Sequence, residues 1–368
     1  MNIVICHNYS SFSYADSSKQ LARQLAGEGH RVWFISHHQP DEESDTAGLT
    51  LLRWPQRRPT GWASCLFLYR LLKTEQIDCL LAHAAAVGVA ALAGSWAGTP
   101  RRLAYYHSAY QAAVADNAYH PMRAAWHRWR KRLLYRSFHQ IICVSRFAAN
   151  DLTRVFGYPA ARTVVVPNAL ADRGLRTPPP PAGPPFVFFC PGRVDTGKNT
   201  ADMMQGFVAA SQHFPPGSFE LRLAGSGSQA DALAAQCQPL APLVQWLGAL
   251  HYSQIDAAFA QCHVAMMATR AEAFGMVAIE AMMHGRLAMV SAVDALPELV
   301  QHQRTGWLVN GHSADEWAAA FQQVFTLLLQ APHLYTQYCQ QGRQHYLQHY
   351  QQQPQLQQLK HLIGVKGA

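Results

Sequence analysis

A proline-rich run is the feature that most constrains the fold of this chain. The segment TPPPPAGPP, residues 177–185, contains six prolines in nine residues. Proline fixes φ and has no amide hydrogen, so neither a helix nor a sheet continues through such a run, which acts as a semi-rigid spacer. The chain of 368 residues also exceeds the size at which one hydrophobic core stops growing. We therefore predict an N-terminal domain at 1–171, a linker at 172–185 and a C-terminal domain at 186–345.

Both halves alternate short apolar runs with helical patterns, which predicts parallel sheets covered on both faces. The fold class is α/β, with two Rossmann-like doubly wound domains that face each other across a cleft. Ligands of such sheets bind beyond the carboxyl ends of the strands. The Gln- and His-rich tail, about 346–368, is predicted to form a helix that is broken near Pro354 and packs back on the N-terminal domain. The predicted strands are 2–8, 31–36, 78–84, 101–108, 140–145 and 163–169, then 186–192, 220–227, 244–248, 264–269, 287–292 and 306–310.

Cysteine spacing and the N-terminal sequence argue against several classes of protein. The eight cysteines include no C-x-x-C pair, which argues against a disulfide framework or a zinc site and fits a reducing cytosol. The first residues, MNIVICHNYSS, lack the basic region of a signal peptide, and no apolar stretch approaches the length of a membrane span. We expect a cytoplasmic protein.

The positive charge lies in the first half of the chain. Residues 1–170 contain 19 Lys and Arg against 10 Asp and Glu, and residues 171–368 contain 11 against 12. This asymmetry predicts an anionic partner such as a nucleic acid, a phosphate-bearing substrate or a membrane surface. We expect no nucleic acid, because no recognised binding motif is present.

Residues 122–136 carry tryptophans and many basic residues at helical spacing. Such a helix is typical of a protein that docks on an anionic membrane surface. The alternative is that the apolar stripe packs on the N-terminal sheet and the cations are only solvated. The sequence leaves both open.

Two loops that follow predicted strands contain residues suited to a diphosphate. In CPGRVDTGKN, 190–199, Arg193 offers a planar fork of donors and Lys198 a point charge, and Gly192 lets the backbone approach a ligand. The loop is not a P-loop, because the G-x-x-x-x-G-K-[ST] order is absent. The second loop, LAGSGS, contains Gly225 and is a weaker signal.

The segment TRAEAFGMVAIEAMMHG, 269–285, places two carboxylates around a predicted helix start. The amides of Phe274, Gly275, Met276 and Val277 would form the N-terminus of that helix, where unsatisfied donors favour an anion. Glu272 precedes the helix, and Glu280 lies inside it among apolar residues. Ionised carboxylates accept hydrogen bonds from sugar hydroxyls. A nucleotide sugar has hydroxyl-bearing rings on both sides of its diphosphate, which suits this arrangement.

Together these segments resemble a known family. Glu272-x7-Glu280 is similar to the E-x7-E signature of GT-B glycosyltransferases, in particular the retaining family 4. PGRVDTGKN, RLAGSGS, VQWLGAL, IICVSRFAANDL and VVVPNA extend the resemblance over nearly the whole chain in the family's order.

The resemblance implies a role for each matching residue. Arg193 and Lys198 would bind the donor diphosphate, Glu272 the hydroxyls of the transferred sugar, and Glu280 the ribose. The amides from Phe274 to Val277 would bind the distal phosphate. His107, after an N-terminal strand, would face the reacting centre, so the implied catalytic residues are His107, Glu272, Arg193 and Lys198. The implied donor-binding residues are Gly192, Arg193, Lys198, Gly225, Leu250, Phe274, Gly275, Met276, Val277 and Glu280.

The chain departs from the family pattern in its first loop. The family often has a glycine pair there, whereas YSSFSYADSSKQ, 9–20, has no glycine. Contacts of this loop with the acceptor are therefore predicted to come from the side chains of Asp16, Ser17 and Lys19.

The implied activity is retaining transfer of a sugar from a nucleoside diphosphate sugar, expected to be a UDP-sugar. The expected acceptor is a hydroxyl of a lipopolysaccharide core or of a lipid-linked cell-surface glycan. Neither a metal nor another cofactor is expected, since fixed cations would neutralise the diphosphate. Two alternatives remain: a soluble enzyme that glycosylates a small metabolite or sugar phosphate, and a non-catalytic nucleotide-binding partner.

Overall fold

The computed structural model describes residues 1–7, 13–37, 47–56, 58–110, 121–173, 180 and 182–365. The first-loop residues 9–12 and most of the predicted linker, 174–179 and 181, lie outside these described ranges. The described residues form two compact units. The N-terminal unit runs to Ala171 and also takes in the chain from Gln352 onward, and the C-terminal unit runs from Asp172 to Gln351. Within the described ranges, no helix has both the length and the hydrophobicity needed to cross a bilayer.

The N-terminal unit is a parallel sheet of seven strands with helices between them. The strand order is β3-β2-β1-β4-β5-β6-β7. The strands are β1 Asn2–Cys6, β2 Arg31–Ser36, β3 Leu49–Arg53, β4 Cys79–Ala82, β5 Arg101–Tyr106, β6 Gln140–Cys143 and β7 Thr163–Val165. The helices are α1 Ser13–Gly27, α2 Trp62–Thr74, α3 Val87–Ala97, α4 Pro121–Tyr135 and α5 Arg146–Phe156.

Crossover handedness determines which helices share a face of this sheet. Parallel crossovers are right-handed, so helices that connect strands stepping in the same direction lie on the same face. The connections through α2, α3, α4 and α5 all step toward β7, whereas α1 steps from β1 back to β2. We infer that α2, α3 and α4 form one layer, and the contacts of α3 with both α2 and α4 agree with this.

The C-terminal unit repeats this architecture with six parallel strands in the order β10-β9-β8-β11-β12-β13. Its core contains closely packed aromatic rings; the rings of Phe219 and Phe325, for example, stack 3.7 Å apart. The strands are β8 Phe186–Pro191, β9 Phe219–Ala224, β10 Val244–Trp246, β11 Val264–Met267, β12 Leu287–Ser291 and β13 Trp307–Val309. The helices are α6 Thr200–Ser211, α7 Ala230–Cys237, α8 Tyr252–Gln261, α9 Met276–Met283, α10 Leu296–Leu299, α11 Ala314–Gln330 and α12 Pro332–His349. The predicted class, two Rossmann-like α/β domains with parallel sheets, is confirmed.

The final helix, α13 Gln352–Ile363, packs against α1 in the N-terminal unit. Its Lys360 ammonium lies 2.5 Å from a Glu28 carboxylate oxygen, and the Gln355 amide donates to Pro167 O at 2.7 Å. The helix is broken close to Pro354, as predicted. The break falls between α12 and α13, and Pro354 lies in the first turn of α13, where a missing amide hydrogen leaves no bond unmade.

The first residues after Ala171 are held by the C-terminal unit. The Arg343 guanidinium donates to both carboxylate oxygens of Asp172, at 2.8 and 2.6 Å. The Arg173 guanidinium lies 3.3 Å from Asp256. These ion pairs fix the chain to the C-terminal unit immediately after the division between the units.

Candidate active site

Five loops of the C-terminal unit meet at one edge of its sheet. They follow β8, β9, β10, β11 and β12, and because all these strands are parallel, their carboxyl ends lie at the same edge. Every donor-binding residue predicted from the sequence is in these loops or in α9, which follows β11. Leu250, in the loop after β10, is half-buried.

The first two loops pack backbone against backbone at their glycines. Gly192 has φ +149° and Gly225 has φ +153°, values that L side chains rarely adopt. A Cβ atom at Gly225 would lie 1.7 Å from Gly192 O. The Val194 amide donates to Ser226 O at 3.0 Å. The glycines therefore fix the two loops against each other, in addition to leaving room for a ligand.

Lys198 and Glu272 form an ion pair between the loops that follow β8 and β11. The Lys198 Nζ atom lies 2.7 Å from Glu272 Oε2, and each side chain is 20% exposed. Thr269 Oγ1 lies 3.4 Å from the same ammonium. The Glu272 amide donates to Asp294 Oδ2 at 3.0 Å, which ties the loop after β11 to the loop after β12. The sequence predicted both charged residues, but it indicated neither their pairing nor the contributions of Thr269 and Asp294.

Arg193 lies at the exposed rim of these loops. Its Nη1 atom donates to Asp195 Oδ2 at 2.9 Å, and the side chain is 63% exposed. Asp195 also accepts from the amide and hydroxyl of Ser228, and these bonds, chiefly the amide bond, lower the pKa of its carboxyl. Asp195 therefore links the first loop to the second. Because Arg193 is exposed, its guanidinium can move toward an incoming anion.

A second arginine, Arg270, was not predicted for this region. Its Nη2 atom donates to Asn199 Oδ1 at 2.8 Å and to Asp202 Oδ2 at 3.1 Å. These contacts connect the loop after β11 to the start of α6. The sequence gave no signal for this role of Arg270.

Helix α9 begins where the sequence predicted. Its N-cap residue is Gly275, with φ +117°, and a Cβ atom there would lie 2.4 Å from Leu296 Cδ2. The Ala278 amide donates to Gly275 O at 3.1 Å, so the amides of residues 274–277 precede the first hydrogen-bonded turn. Glu280 lies within α9 and is only 8% exposed. Gly285, with φ +64°, ends the helix as expected.

Three histidines gather at the carboxyl ends of β1, β4 and β5 in the N-terminal unit. His83 Nδ1 lies 3.0 Å from His107 Nε2, and the rings of His7 and His83 stack at 4.0 Å. The Tyr105 ring stacks on both His83 and His107. Burial lowers the pKa of His107 to about 4 and, together with the neighbouring His107 imidazole, lowers that of His7 to about 3. Burial and the two neighbouring imidazoles hold the pKa of His83 well below its usual value, so the whole cluster is neutral at pH 7.

The histidine cluster is a poor fit for a metal ion in this arrangement. Among the described residues, its potential ligand nitrogens all lie within 4.8 Å of one another. The ring planes, however, are inclined by only 6° to 24°. An imidazole binds a metal through a lone pair in its own ring plane, and stacked, nearly parallel rings do not direct three such lone pairs at one point. We interpret the cluster as neutral imidazoles that orient His107.

The predicted first-loop residues lie in the first turns of α1. Ser17 is buried, and its hydroxyl donates to Ala169 O at 3.1 Å. The Gln352 amide lies 3.3 Å from both Ser17 Oγ and Asp16 Oδ2. Lys19 is half-buried, and this burial lowers the pKa of its ammonium. These bonds attach α1 to α13 and to the end of the N-terminal unit.

The apolar stripe of α4 does not pack on the N-terminal sheet. Met122 is 77% exposed, Trp126 56%, Trp129 53% and Leu133 46%. The two tryptophan rings stack at 5.1 Å. The structure therefore contradicts the alternative in which this stripe is part of the N-terminal core.

Each half of the chain matches the model of a known protein family. Residues 17–171 match the model described as Glycosyltransferase Family 4, and residues 185–326 match the model described as Glycosyl transferases group 1. The two models together span most of the chain, which belongs to the glycosyltransferases that they describe.

Relatives and solved structures agree with this placement. Two structures similar over 98% or more of both chains are Anabaena Alr3699/HepE in complex with UDP-glucose (16% identity, TM-score 0.74) and WaaG, a glycosyltransferase involved in lipopolysaccharide biosynthesis (14% identity, TM-score 0.74). At these identities the likeness shows the fold, which is GT-B. A D-inositol 3-phosphate glycosyltransferase from Pseudarthrobacter chlorophenolicus is 32% identical over 108 residues, which are 29% of this chain and 23% of that protein. The chain thus spans about a quarter of the length of this curated relative.

Proposed function

We propose that the protein transfers a sugar from a nucleoside diphosphate sugar to a hydroxyl of a lipopolysaccharide core or of a lipid-linked cell-surface glycan. A UDP-sugar is the first candidate donor. Transfer proceeds with retention of the anomeric configuration and without a metal ion. The Lys198–Glu272 ion pair, at the point where the loops after β8 and β11 meet, is the observation that carries this proposal.

The charges around that pair support a diphosphate ligand. A leaving nucleoside diphosphate gains negative charge as the anomeric bond breaks, and preorganised donors stabilise it. Lys198, the exposed Arg193 side chain and the N-terminus of α9 provide such donors within one set of loops. Buried Glu280 is assigned to the ribose, and His107 to the reacting centre.

Two similarities support the choice of donor and acceptor. The HepE structure contains UDP-glucose, and the WaaG structure is described as a glycosyltransferase of lipopolysaccharide biosynthesis. The exposed tryptophans and arginines of α4 fit an enzyme that docks on an anionic membrane, where a lipid-linked acceptor is located. We propose that the protein binds the cytoplasmic face of the inner membrane through this helix.

The second candidate function is glycosylation of a small phosphorylated metabolite. It is favoured by the similarity to the D-inositol 3-phosphate glycosyltransferase. Such an enzyme needs no exposed aromatic helix, so vesicle binding separates the two candidates.

The donor is tested by incubating the protein with a panel of nucleotide sugars and measuring slow donor hydrolysis. We expect hydrolysis of at least one nucleoside diphosphate sugar in the presence of a chelator. The Lys198→Ala variant serves as the control, and we expect it to show no turnover. Binding of a nucleotide without hydrolysis or transfer of any donor would instead favour a non-catalytic nucleotide-binding partner.

Membrane docking is tested with a variant in which Arg123, Arg128 and Arg130, all exposed, are changed together to Gln. Lys131 is left intact, because its ammonium lies 6.0 Å over the Phe156 ring and contributes to packing. The wild-type protein should sediment with anionic vesicles and not with neutral ones, and less so as salt screens the charges. A folded variant that sediments like the wild type would contradict docking through α4.

A further inference from the structure

The exposed apolar side chains of the described chain are concentrated on three helices. Eight of the twelve large apolar side chains that are exposed lie on α2, α3 and α4. All five that are more than half exposed belong to this group: Trp62, Trp96, Met122, Trp126 and Trp129. Scattered exposed apolar residues are normal on a protein surface, but a concentration of tryptophans marks an interaction site.

These helices also carry charge of a single sign. Their sequences, residues 62–74, 87–97 and 121–135, contain seven Lys and Arg and no Asp or Glu. Since α2, α3 and α4 form one layer on one face of the sheet, their exposed residues belong to the same side of the N-terminal unit. We call this side the three-helix face. A surface of positive charge and exposed tryptophan fits an anionic bilayer, where indole rings favour the headgroup region.

A groove opens on the part of this face formed by α2 and α3. Its volume is about 510 Å³, and it is lined by Trp62, Ala63, Leu66, Tyr69 and Trp96. The indole rings of Trp62 and Trp96 lie parallel, with centroids 5.8 Å apart and planes inclined by 8°. The size is within the range of ligand pockets, but the lining offers almost only carbon atoms. Such a groove suits a hydrocarbon chain and has little to offer a sugar or a nucleotide.

We propose that this groove binds an acyl chain of the membrane lipid, so that the N-terminal unit docks on the bilayer through two separate sites. Helix α4 attracts the anionic surface through its arginines, and its contribution depends on salt. The α2–α3 groove takes up hydrocarbon, and its contribution resists salt, because burial of apolar surface involves no screened charge. The proposal extends the membrane docking proposed for α4, and it does not depend on the donor site of the C-terminal unit.

The test compares Trp62→Ser/Trp96→Ser with a matched control, Leu329→Ser/Leu347→Ser. The control removes two apolar side chains that are 39% and 37% exposed on the C-terminal unit. Sedimentation with phosphatidylglycerol-containing vesicles is measured at low and at high salt. We expect the Trp double variant to bind about tenfold more weakly at high salt, where the salt-resistant contribution dominates, and the control to bind like the wild type.

A second measurement reports insertion directly. Vesicles whose lipids carry brominated acyl chains quench tryptophan fluorescence on contact, so the wild-type protein should be quenched more than the Trp double variant. Equal vesicle binding and equal quenching of the two proteins would overturn the proposal. Light scattering without vesicles tests a second copy of this chain as the occupant: a dimer that the Trp double variant abolishes would also overturn it.

The same variants separate this proposal from the proposed function. Neither tryptophan belongs to the donor site, so donor hydrolysis by the Trp double variant should equal that of the wild type. If no form hydrolyses any nucleotide sugar but the vesicle results are as expected, the proposed activity is wrong and the lipid groove stands.

Discussion

Removal of the Lys198 ammonium is expected to weaken nucleoside diphosphate binding in two separate ways. The Lys198→Ala change deletes the cation that we assign to the diphosphate. It also leaves the Glu272 carboxylate without the ammonium that lies 2.7 Å from it. An unpaired carboxylate at that position repels the same diphosphate that the cation attracted.

The two contributions have different sizes. Loss of a charged hydrogen bond costs about 1.5–3 kcal/mol. Two unit charges 4 Å apart interact by about 1 kcal/mol in water and about 4 kcal/mol at an effective dielectric constant of 20. Since both side chains are 20% exposed, we take a value between these limits, about 2 kcal/mol, for the repulsion by Glu272. The single variant should therefore lose about 3.5–5 kcal/mol of UDP binding free energy.

A second substitution separates these contributions. In Lys198→Ala/Glu272→Gln the repulsion is absent, so UDP affinity should recover about 30-fold relative to the single variant, the equivalent of about 2 kcal/mol. Titration calorimetry of UDP against each folded variant measures the difference. Arg270→Ala is the control, because that guanidinium is 54% exposed and pairs with Asp202 in the same region. Wild-type affinity in Lys198→Ala would remove this lysine from the diphosphate site, and equal affinity of the single and double variants would place Glu272 too far away to repel the ligand.

Three further expectations concern other parts of the two units. Glu280→Ala should weaken UDP binding, because its buried carboxylate is assigned to the ribose, whereas Glu272→Ala should mainly impair sugar transfer; equal loss of UDP affinity in both would contradict this division. The free energy of unfolding should fall as pH decreases from 6.5, because the unfolded chain then binds a proton at His7 that the folded chain, with a pKa of about 3, does not. In His7→Asn the difference in unfolding free energy between pH 6.5 and pH 5 should shrink by about 1.6 kcal/mol, measured by urea titration at each pH. Gly275→Ala should lower stability by about 1–3 kcal/mol, because φ is +117° and the new Cβ would lie 2.4 Å from a Leu296 methyl group; an unchanged urea midpoint would refute this.

Much of the fold could be predicted from local sequence patterns. Twelve runs of buried, β-branched or aromatic residues were predicted as strands, and each contains a strand in the structure, usually one or two residues shorter at its carboxyl end. Strand β3, Leu49–Arg53, was missed. It lies at the edge of the sheet, and its burial is mixed, with Thr50 and Arg53 exposed. An edge strand that is not continuously apolar gives no clear periodic signal.

The only site residues that could be predicted were those in a loop with a recognisable sequence pattern. Lys198 and Glu272 are 74 residues apart, but both follow strands, and β8 and β11 are neighbours in the sheet. Their proximity therefore follows from the fold class. His7 and His83 gave no such signal, because a single histidine after a strand is common in a chain with 19 histidines. Only the strand order, with β1 beside β4 and β4 beside β5, brings the three imidazoles together.

The ion pair adds a step that the family resemblance does not contain. The resemblance assigns Glu272 to the hydroxyls of the sugar, whereas in the structure its carboxylate is held by Lys198. Both assignments hold if Glu272 pairs with Lys198 first and binds the sugar hydroxyls afterwards. A diphosphate carries more negative charge than one carboxylate, so it competes successfully for the ammonium, and the carboxylate is then free to accept from the sugar. Sugar recognition by Glu272 would thus follow binding of the diphosphate, and a free monosaccharide, which cannot compete for Lys198, should bind this site poorly.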